Sequence, residues 1–291
     1  IFPFSSFGST KQWYVDKEYN GTETGSVDKP FNTLKEALNK AESGDEVRVK
    51  KGTYKENITL PKGVRLVSAD ENRDSVVIKG GSSKATVTMK HGSKLAAVTV
   101  TDGRDGVVVE QDAKAHIYNV AVKHAKRDGI HAEKADRSDK YLLTIDTAYI
   151  AKNGMAGVYA NGRKVTILNS DIDANAWDGV MLRGQSRGWI EDSRMRWNKQ
   201  NGLAAEIDGS TITTKSSDFR NNRLAGVKAV SFGGNGSLTL KKGSVVGNAS
   251  FGIARVQKQG KFQGLFVGEN ENGVKFKDNA KENISPILRN F

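Results

Sequence analysis

Hydrophobic and polar positions alternate over short stretches along most of the chain, and each stretch stops after about five residues. Lys164-Val165-Thr166-Ile167-Leu168 and Ser237-Leu238-Thr239-Leu240 are examples. A period of two over so few residues predicts strands with one buried face rather than helices. Glu46-Val47-Arg48-Val49, Val64-Arg65-Leu66-Val67, Val76-Val77-Ile78 and Thr86-Val87-Thr88-Met89 carry the same pattern earlier in the chain. One segment departs from it. Between Pro30 and Ala41 the residues Leu34, Ala37, Leu38 and Ala41 share one helical face, and Ser43-Gly44-Asp45 ends the run. The spacing predicts an amphipathic helix near residues 33–42.

The strands belong to a repeat. A Gly followed by an aliphatic residue recurs at Gly106-Val107, Gly129-Ile130, Gly157-Val158, Gly179-Val180, Gly202-Leu203, Gly226-Val227 and Gly252-Ile253, with gaps of 23, 28, 22, 23, 24 and 26 residues. Gly273-Val274 extends the series. Four residues ahead of each of the last five main glycines stands an Asn: Asn153, Asn175, Asn198, Asn222 and Asn248. The Asn keeps step with the Gly while the gaps vary, so length variation is absorbed elsewhere in the unit. A repeat of this length predicts stacked coils, each packed only on its neighbours. At an inter-strand spacing of about 4.8 Å, an Asn in each coil can pass an amide hydrogen bond to the next. The five are therefore expected in one inward-facing column. Ala132, Ala160, Ala205 and Ala229 suit a narrow interior.

Composition narrows the picture. The chain has 291 residues, which stacked coils can accommodate in one solenoid without an oversized core. It is 37% hydrophobic and 27% charged, with only 4 Pro, a folded profile. No apolar run approaches the roughly 18 residues of a membrane helix, so no transmembrane segment is expected. There is no Cys, which excludes disulfides, thiolate metal sites and a Cys nucleophile. Lys plus Arg is 45 against 33 for Asp plus Glu, a formal charge of +12. Such a surface favours polyanions. No Lys/Arg run or nucleic-acid motif stands out, so no nucleic-acid partner is expected. The chain opens on Ile1-Phe2-Pro3-Phe4 rather than Met, which fits a removed signal peptide or a trimmed chain.

Three segments carry a resemblance. Lys29-Pro30-Phe31-Asn32-Thr33-Leu34, Ser43-Gly44-Asp45-Glu46-Val47-Arg48-Val49 and Gly52-Thr53-Tyr54-Lys55-Glu56-Asn57-Ile58 resemble the opening of many proteins of the pectin-lyase-like superfamily. The Gly-aliphatic and Asn columns resemble their repeating coils, and the likeness covers nearly the whole chain. The expected fold class is therefore all-β, a right-handed parallel β-helix with an N-terminal capping helix. Residues 1–45 form the N-terminal segment and cap, 46–275 the solenoid, and 276–291 a C-terminal tail or cap. The superfamily holds lyases, hydrolases, esterases, epimerases, tailspikes and adhesins, so fold leaves the chemistry open. Gly52-Thr53-Tyr54-Lys55-Glu56-Asn57 is also similar to the first coil of pectin methylesterases. The downstream Gln, paired Asp and Arg signatures of those enzymes are absent, as is the Gly-His-Gly of polygalacturonases. Mannuronan epimerases carry Tyr-Gly-Phe-Asp-Pro-His on the corresponding strand. Here Asp128-Gly129-Ile130-His131-Ala132-Glu133 matches only the Gly and the aliphatic residue, so no catalytic residue carries over.

The resemblance implies a substrate groove on the outer face of the Gly-aliphatic sheet. Alternation sends outwards the residue before each Gly and those two and four after it. Successive coils then present Asp105, Val108 and Glu110; Asp128, His131 and Glu133; Ala156, Tyr159 and Asn161; Asp178, Met181 and Arg183; Asn201, Ala204 and Glu206; Ala225, Lys228 and Val230. A polyuronate lyase needs a cation to neutralise the carboxylate, a base for the adjacent proton and an acid for the leaving oxygen. Arg183 suits the first role, and His131 or Tyr159 the proton transfers. In the alternative, His131 is a surface histidine, Tyr159 packs on a neighbour and Arg183 pairs with Glu206.

The carboxylates raise a second chemistry. Asp105 and Asp128, one coil apart, approach the roughly 5 Å of a retaining glycosidase pair, and Asp128 and Asp178, two coils apart, the wider inverting separation. Turn chemistry in Arg104-Asp105-Gly106 and Arg127-Asp128-Gly129 is the alternative. The same carboxylates offer oxygens to Ca²⁺, though without a dense ligand motif. Trp177, Trp189 and Trp197 offer flat faces to sugar rings or pack against turns, and Glu133, Asn161, Glu206 and Lys228 border the expected groove. His91, His116 and His124 have no metal spacing.

These readings combine into one leading expectation. The protein is expected to be a secreted or cell-surface monomer that binds an acidic polysaccharide, and whether it also cleaves or epimerises that polymer is left open by the residues. A non-catalytic adhesin or structural spike and a glycoside hydrolase using Asp pairs are the alternatives.

Overall fold

The computed structural model describes residues 10–268 and 273–289. The chain winds as a parallel solenoid with three faces per coil. A middle coil shows the plan. Leu143–Asp146 lies on the second face and Tyr149–Ala151 on the third, and Val158–Asn161 on the first carries the Gly-aliphatic motif. Among the described residues the first face is a ten-stranded sheet, from Ile58–Leu60 to Ile284–Leu288. The other two faces connect as one nineteen-stranded sheet.

Register follows the motif. Val107, Ile130, Val158, Val180, Leu203, Val227 and Ile253 pair in sequence along the first face. All seven are fully buried, as are Ala132, Ala160 and Ala229, with Ala205 nearly so. Along each strand buried and outward residues alternate, so every coil delivers one apolar layer to a continuous core.

Two columns of left-handed residues turn the corners. Thr147, Asn169, Asp192 and Ser216 have φ between 47° and 54° where the second face meets the third. Lys152, Ala174, Trp197 and Asn221, with φ between 55° and 58°, stand after the third face. A non-glycine residue in this region costs about 1–2 kcal/mol, so the corners need compensation.

Buried side-chain ladders supply it. Next to the second corner column stand Asn153, Asn175, Asn198, Asn222 and Asn248, all almost fully buried. The Asn175 backbone N–H and Nδ2 donate to Asn198 Oδ1 at 3.0 and 3.1 Å, and Asn175 Nδ2 also donates to Ile150 O at 3.2 Å. Asn198 repeats the pattern onto Asn222 and Ile172 O. The expected column thus stands, and Asn279 adds a sixth member. A serine ladder lies at the other corner: Ala148 N–H donates to Ser170 Oγ, Ser170 N–H to Ser193 Oγ, and Ser193 N–H to Ser217 Oγ.

Asn279 also corrects the last Gly-aliphatic pair. Four residues after it comes Asn283-Ile284, and Ile284 pairs with Ile253 on the first face. Gly273-Val274 instead leads into Lys275–Lys277 on the third face.

Parallel pairing reaches beyond residues 46 and 275 at both ends. Gln12–Val15 pairs with Glu46–Val49, and Ile284–Leu288 with Ile253–Gln257. The helix Leu34–Lys40 covers the first coil with Leu34, Ala37 and Leu38 buried. Thr33 and Glu36 form a capping box, and the Glu56 carboxylate accepts from the N–H groups of Leu34 and Lys35. No helix among the described residues is long and apolar enough to cross a membrane.

Candidate active site

The outer surface of the first face brings three of the predicted residues together. His131 and Tyr159 are register partners on adjacent strands, with rings stacked at a centroid distance of 4.8 Å and an interplanar angle of 16°. Arg183 lies one coil further on, opposite Asn161 and diagonal to Tyr159. Its Nε donates to Glu206 Oε1 at 2.7 Å, while Glu206 Oε2 accepts the Gly184 N–H at 3.0 Å. Glu206, with a smaller contribution from Tyr159, raises the guanidinium pKa further, so Arg183 is a permanent cation. The Arg183 side chain is 52% exposed and that of His131 is 17% exposed.

The aspartates do not flank this row as expected. Asp105, Asp128 and Asp178 are buried, and so is Asn201. The strands begin at the aliphatic residue, so the residue before each Gly still belongs to the turn and does not follow strand alternation. There it forms a third ladder. Asp128 N–H donates to Asp105 Oδ1, Ala156 N–H to Asp128 Oδ1, and Asn201 N–H and Nδ2 to Asp178 Oδ1. Burial pushes the Asp178 carboxyl up. An exposed Asp pair for glycoside hydrolysis is therefore absent at these positions.

Asp128 nevertheless touches the site. Its Oδ2 lies 2.8 Å from His131 Nδ1, with Oδ1 held by the next coil. A carboxylate there keeps the proton on Nδ1 and, in the neutral ring, leaves the Nε2 lone pair outwards. The hydrogen bond that His131 donates to Asp128 raises the His131 pKa; partial burial opposes it, and the charges of Asp128, Glu133 and Asp105 add to it. Glu133 Oε1 stands 3.5 Å from Nε2.

Asp105, Asp128 and His131 also bring ligand atoms within 4.8 Å of one another. The group does not fit Ca²⁺, which takes six to eight oxygens. Both oxygens of Asp128 are already engaged, and Arg104 Nε donates to Asp105 Oδ2 at 3.0 Å.

The remaining predicted binding residues divide. Lys228 follows Glu206 along the face, and with Met181, Arg183 and Gln200 they line a cleft of about 170 Å³. The three tryptophans do not converge. Trp177 is 40% exposed in the turn leading into the first face, Trp189 lies in Arg187–Glu191 on the second, and Trp197 stands at the corner after Arg194–Arg196 on the third. Within one coil, neighbouring segments simply belong to different faces.

Sequence reasoning missed the loop over residues 134–142. Its signal was the 28-residue gap between Gly129 and Gly157, longer than the other five. Arg163, fully buried, clamps both ends of the loop: Nη1 donates to Glu133 O at 2.8 Å and Nη2 to Tyr141 O at 3.0 Å, with Ala113 O as a third acceptor. Burial among carbonyls lowers its pKa to about 10. At the tip, Arg137 Nη1 donates to Gln185 O and Gly209 O, which belong to later coils.

Comparison with known proteins agrees with this architecture. The family described as right-handed beta helix region matches residues 105–280. Among solved structures, the pectate lyase Pel9A is 17% identical, with a TM-score of 0.56 over 96% of this chain and 78% of its own. The Dettilon tailspike protein (gp208) is 15% identical with a TM-score of 0.56, over 74% of this chain and 49% of its own. This chain thus spans about half of that tailspike. The ORF18 protein of Geobacillus virus E2 is 12% identical with a TM-score of 0.53, over 87% of this chain and 58% of its own. No curated protein sequence matches. At these identities the likeness concerns the fold, and with the family match over residues 105–280 and the parallel coils described above, the chain belongs to the right-handed β-helix family.

Proposed function

We propose that the protein binds an acidic polysaccharide along its first face and removes the proton next to a uronate carboxylate. That proton abstraction is the shared opening step of lyase and epimerase chemistry. The row His131, Tyr159 and Arg183, backed by Asp128, carries the reading. Arg183 neutralises the sugar carboxylate, which acidifies the adjacent C–H. His131 Nε2, neutral and oriented by Asp128, takes the proton. In elimination the C–H electron pair becomes the new C=C bond, the bond to the leaving oxygen breaks, and the Tyr159 hydroxyl supplies that oxygen with a proton. In epimerisation the proton returns from the opposite face instead. The charge of +12 favours a polyanionic substrate, and export to the cell surface or beyond is where such a polymer is met.

The test is incubation with alginate, pectate and glycosaminoglycans in deuterated water. Unsaturated uronate absorbance reports elimination, and deuterium at the epimerisable carbon reports abstraction without cleavage. Binding without either outcome favours the adhesin reading. No binding to any member removes the proposal.

The pH dependence follows from the raised His131 pKa. The free base appears only as pH rises through that value, so the acid limb of activity is expected above the ordinary histidine value of about 6.5. Asp128→Asn preserves an acceptor for Ala156 but presents an amide N–H to Nδ1, forcing the proton onto Nε2. Turnover is then expected to fall by about 10²-fold or more, and proton-detected NMR should show the ring titrating at lower pH. An unchanged His131 titration would remove Asp128 from this role.

A further inference from the structure

Beside the catalytic row lies a larger space that the proposed chemistry does not use. A cavity of about 710 Å³ opens where the first-face strands end, lined by Gln111, Asp112, Lys134, Asp136, Asn161 and Gln185 among others. Its walls come from four successive coils, an axial reach of about 14 Å. It is displaced from His131 and Tyr159 by about three residues along the strands, or about 10 Å. A linear polymer following His131, Tyr159 and Arg183 from coil to coil runs along the axis and passes beside this space.

The outer wall is the loop over residues 134–142, and it is held in place. Arg163 ties down both ends, Arg137 fastens the tip to two later coils, Lys164 pairs with Asp139, and Tyr141 meets His91 edge-on at 5.8 Å. The cavity is thus formed before any ligand arrives, as small-molecule sites usually are.

Its chemistry differs from the row beside it. Lys134 and Arg137 offset Asp112 and Asp136, so the lining carries no net charge. Carboxylate oxygens accept hydrogen bonds from hydroxyls, and the amides of Gln111, Asn161 and Gln185 both donate and accept. That mixture suits a neutral, hydroxyl-rich ring, whereas the Arg183 side suits a carboxylate.

We infer that the side cavity is a branch subsite, taking a neutral sugar attached to the acidic main chain. The inference rests on the function proposed above and adds a substrate class to it: branched rather than linear uronate polymers.

Binding of uronate glycans to the full chain, on an array holding linear backbones and the same backbones with single neutral-sugar branches, tests it. The wild type is expected to bind branched members at least about tenfold more tightly, the equivalent of about one good hydrogen bond. Lys134→Ala and Arg137→Ala should both bring branched binding down to the linear level and leave linear binding unchanged. The Lys134 side chain takes no part in these anchoring bonds, and its backbone carbonyl, which accepts from Asp112 N–H, is unchanged by alanine, so its variant keeps the fold even where Arg137→Ala loosens the tip. Equal wild-type affinity for branched and linear members, or a preference that survives in either variant, overturns the branch subsite alone. Failure to bind any uronate glycan overturns the underlying function instead.

Discussion

Asn198→Ala is expected to destabilise the solenoid by about 3–5 kcal/mol, since each buried group left unpaired costs about 1–3 kcal/mol. Asn198 Oδ1 accepts from both the N–H and the Nδ2 of Asn175, and its own Nδ2 donates to Ile172 O and Asn222 Oδ1. Alanine removes all four bonds. It leaves two Asn175 donors and the Ile172 carbonyl without these partners in a region where Asn175, Asn198 and Asn222 are almost fully buried, while Asn222 Oδ1 keeps the backbone N–H of residue 198. The damage sits mid-stack, so the coils on either side lose a neighbour's support together. Chemical denaturation of the two proteins side by side measures the difference. A midpoint equal to wild type would mean that the column contributes little despite its geometry.

Arg183→Ala is expected to reduce turnover of an acidic substrate by about 10²- to 10³-fold, the usual cost of removing one group that stabilises developing negative charge. The same variant should melt close to wild type. Arg183 is half exposed and its pair with Glu206 lies at the surface, where such pairs contribute about 0–1 kcal/mol. Arg183→Lys keeps the charge but not the planar fork that bonds Glu206 and faces Tyr159, so partial activity is expected. Turnover retained in the alanine variant would assign carboxylate neutralisation to another cation.

The row on the first face was legible because strand alternation is a local property. Once Ile130, Val158 and Val180 are assigned inwards, His131 and Tyr159 must point out, and the structure stacks them on each other, half-buried, between fully buried strand neighbours. The aspartates were misplaced for the same reason in reverse. Asp128 stands two residues ahead of Ile130, but Gly129 lies between the turn and the strand, and alternation does not extend across it. Instead of standing in the open, Asp128 is buried behind His131, holding the ring from below. The tryptophans show a related limit. Proximity in sequence within a coil places Trp189 and Trp197 on different faces, because each corner turns the chain away.

The sequence by itself determined the solenoid, its register and the asparagine ladder. Each of these depends on what a residue does within its own coil, repeated at nearly constant spacing, so a one-dimensional pattern records it. Only the tertiary structure decided the rest. Ser170, Ser193 and Ser217 each stand five residues ahead of an Asn of the column, but only the structure shows them buried and bonded from coil to coil. Arg163 is buried by carbonyls 22, 30 and 50 residues away, and Arg137 reaches 48 and 72 residues ahead. These contacts occur once, join coils through a single irregular loop, and have no repeat to announce them. The site follows the same division: its row of side chains follows from alternation, whereas the carboxylate that orients the histidine and the cavity beside it come from turns whose path is set by packing between coils.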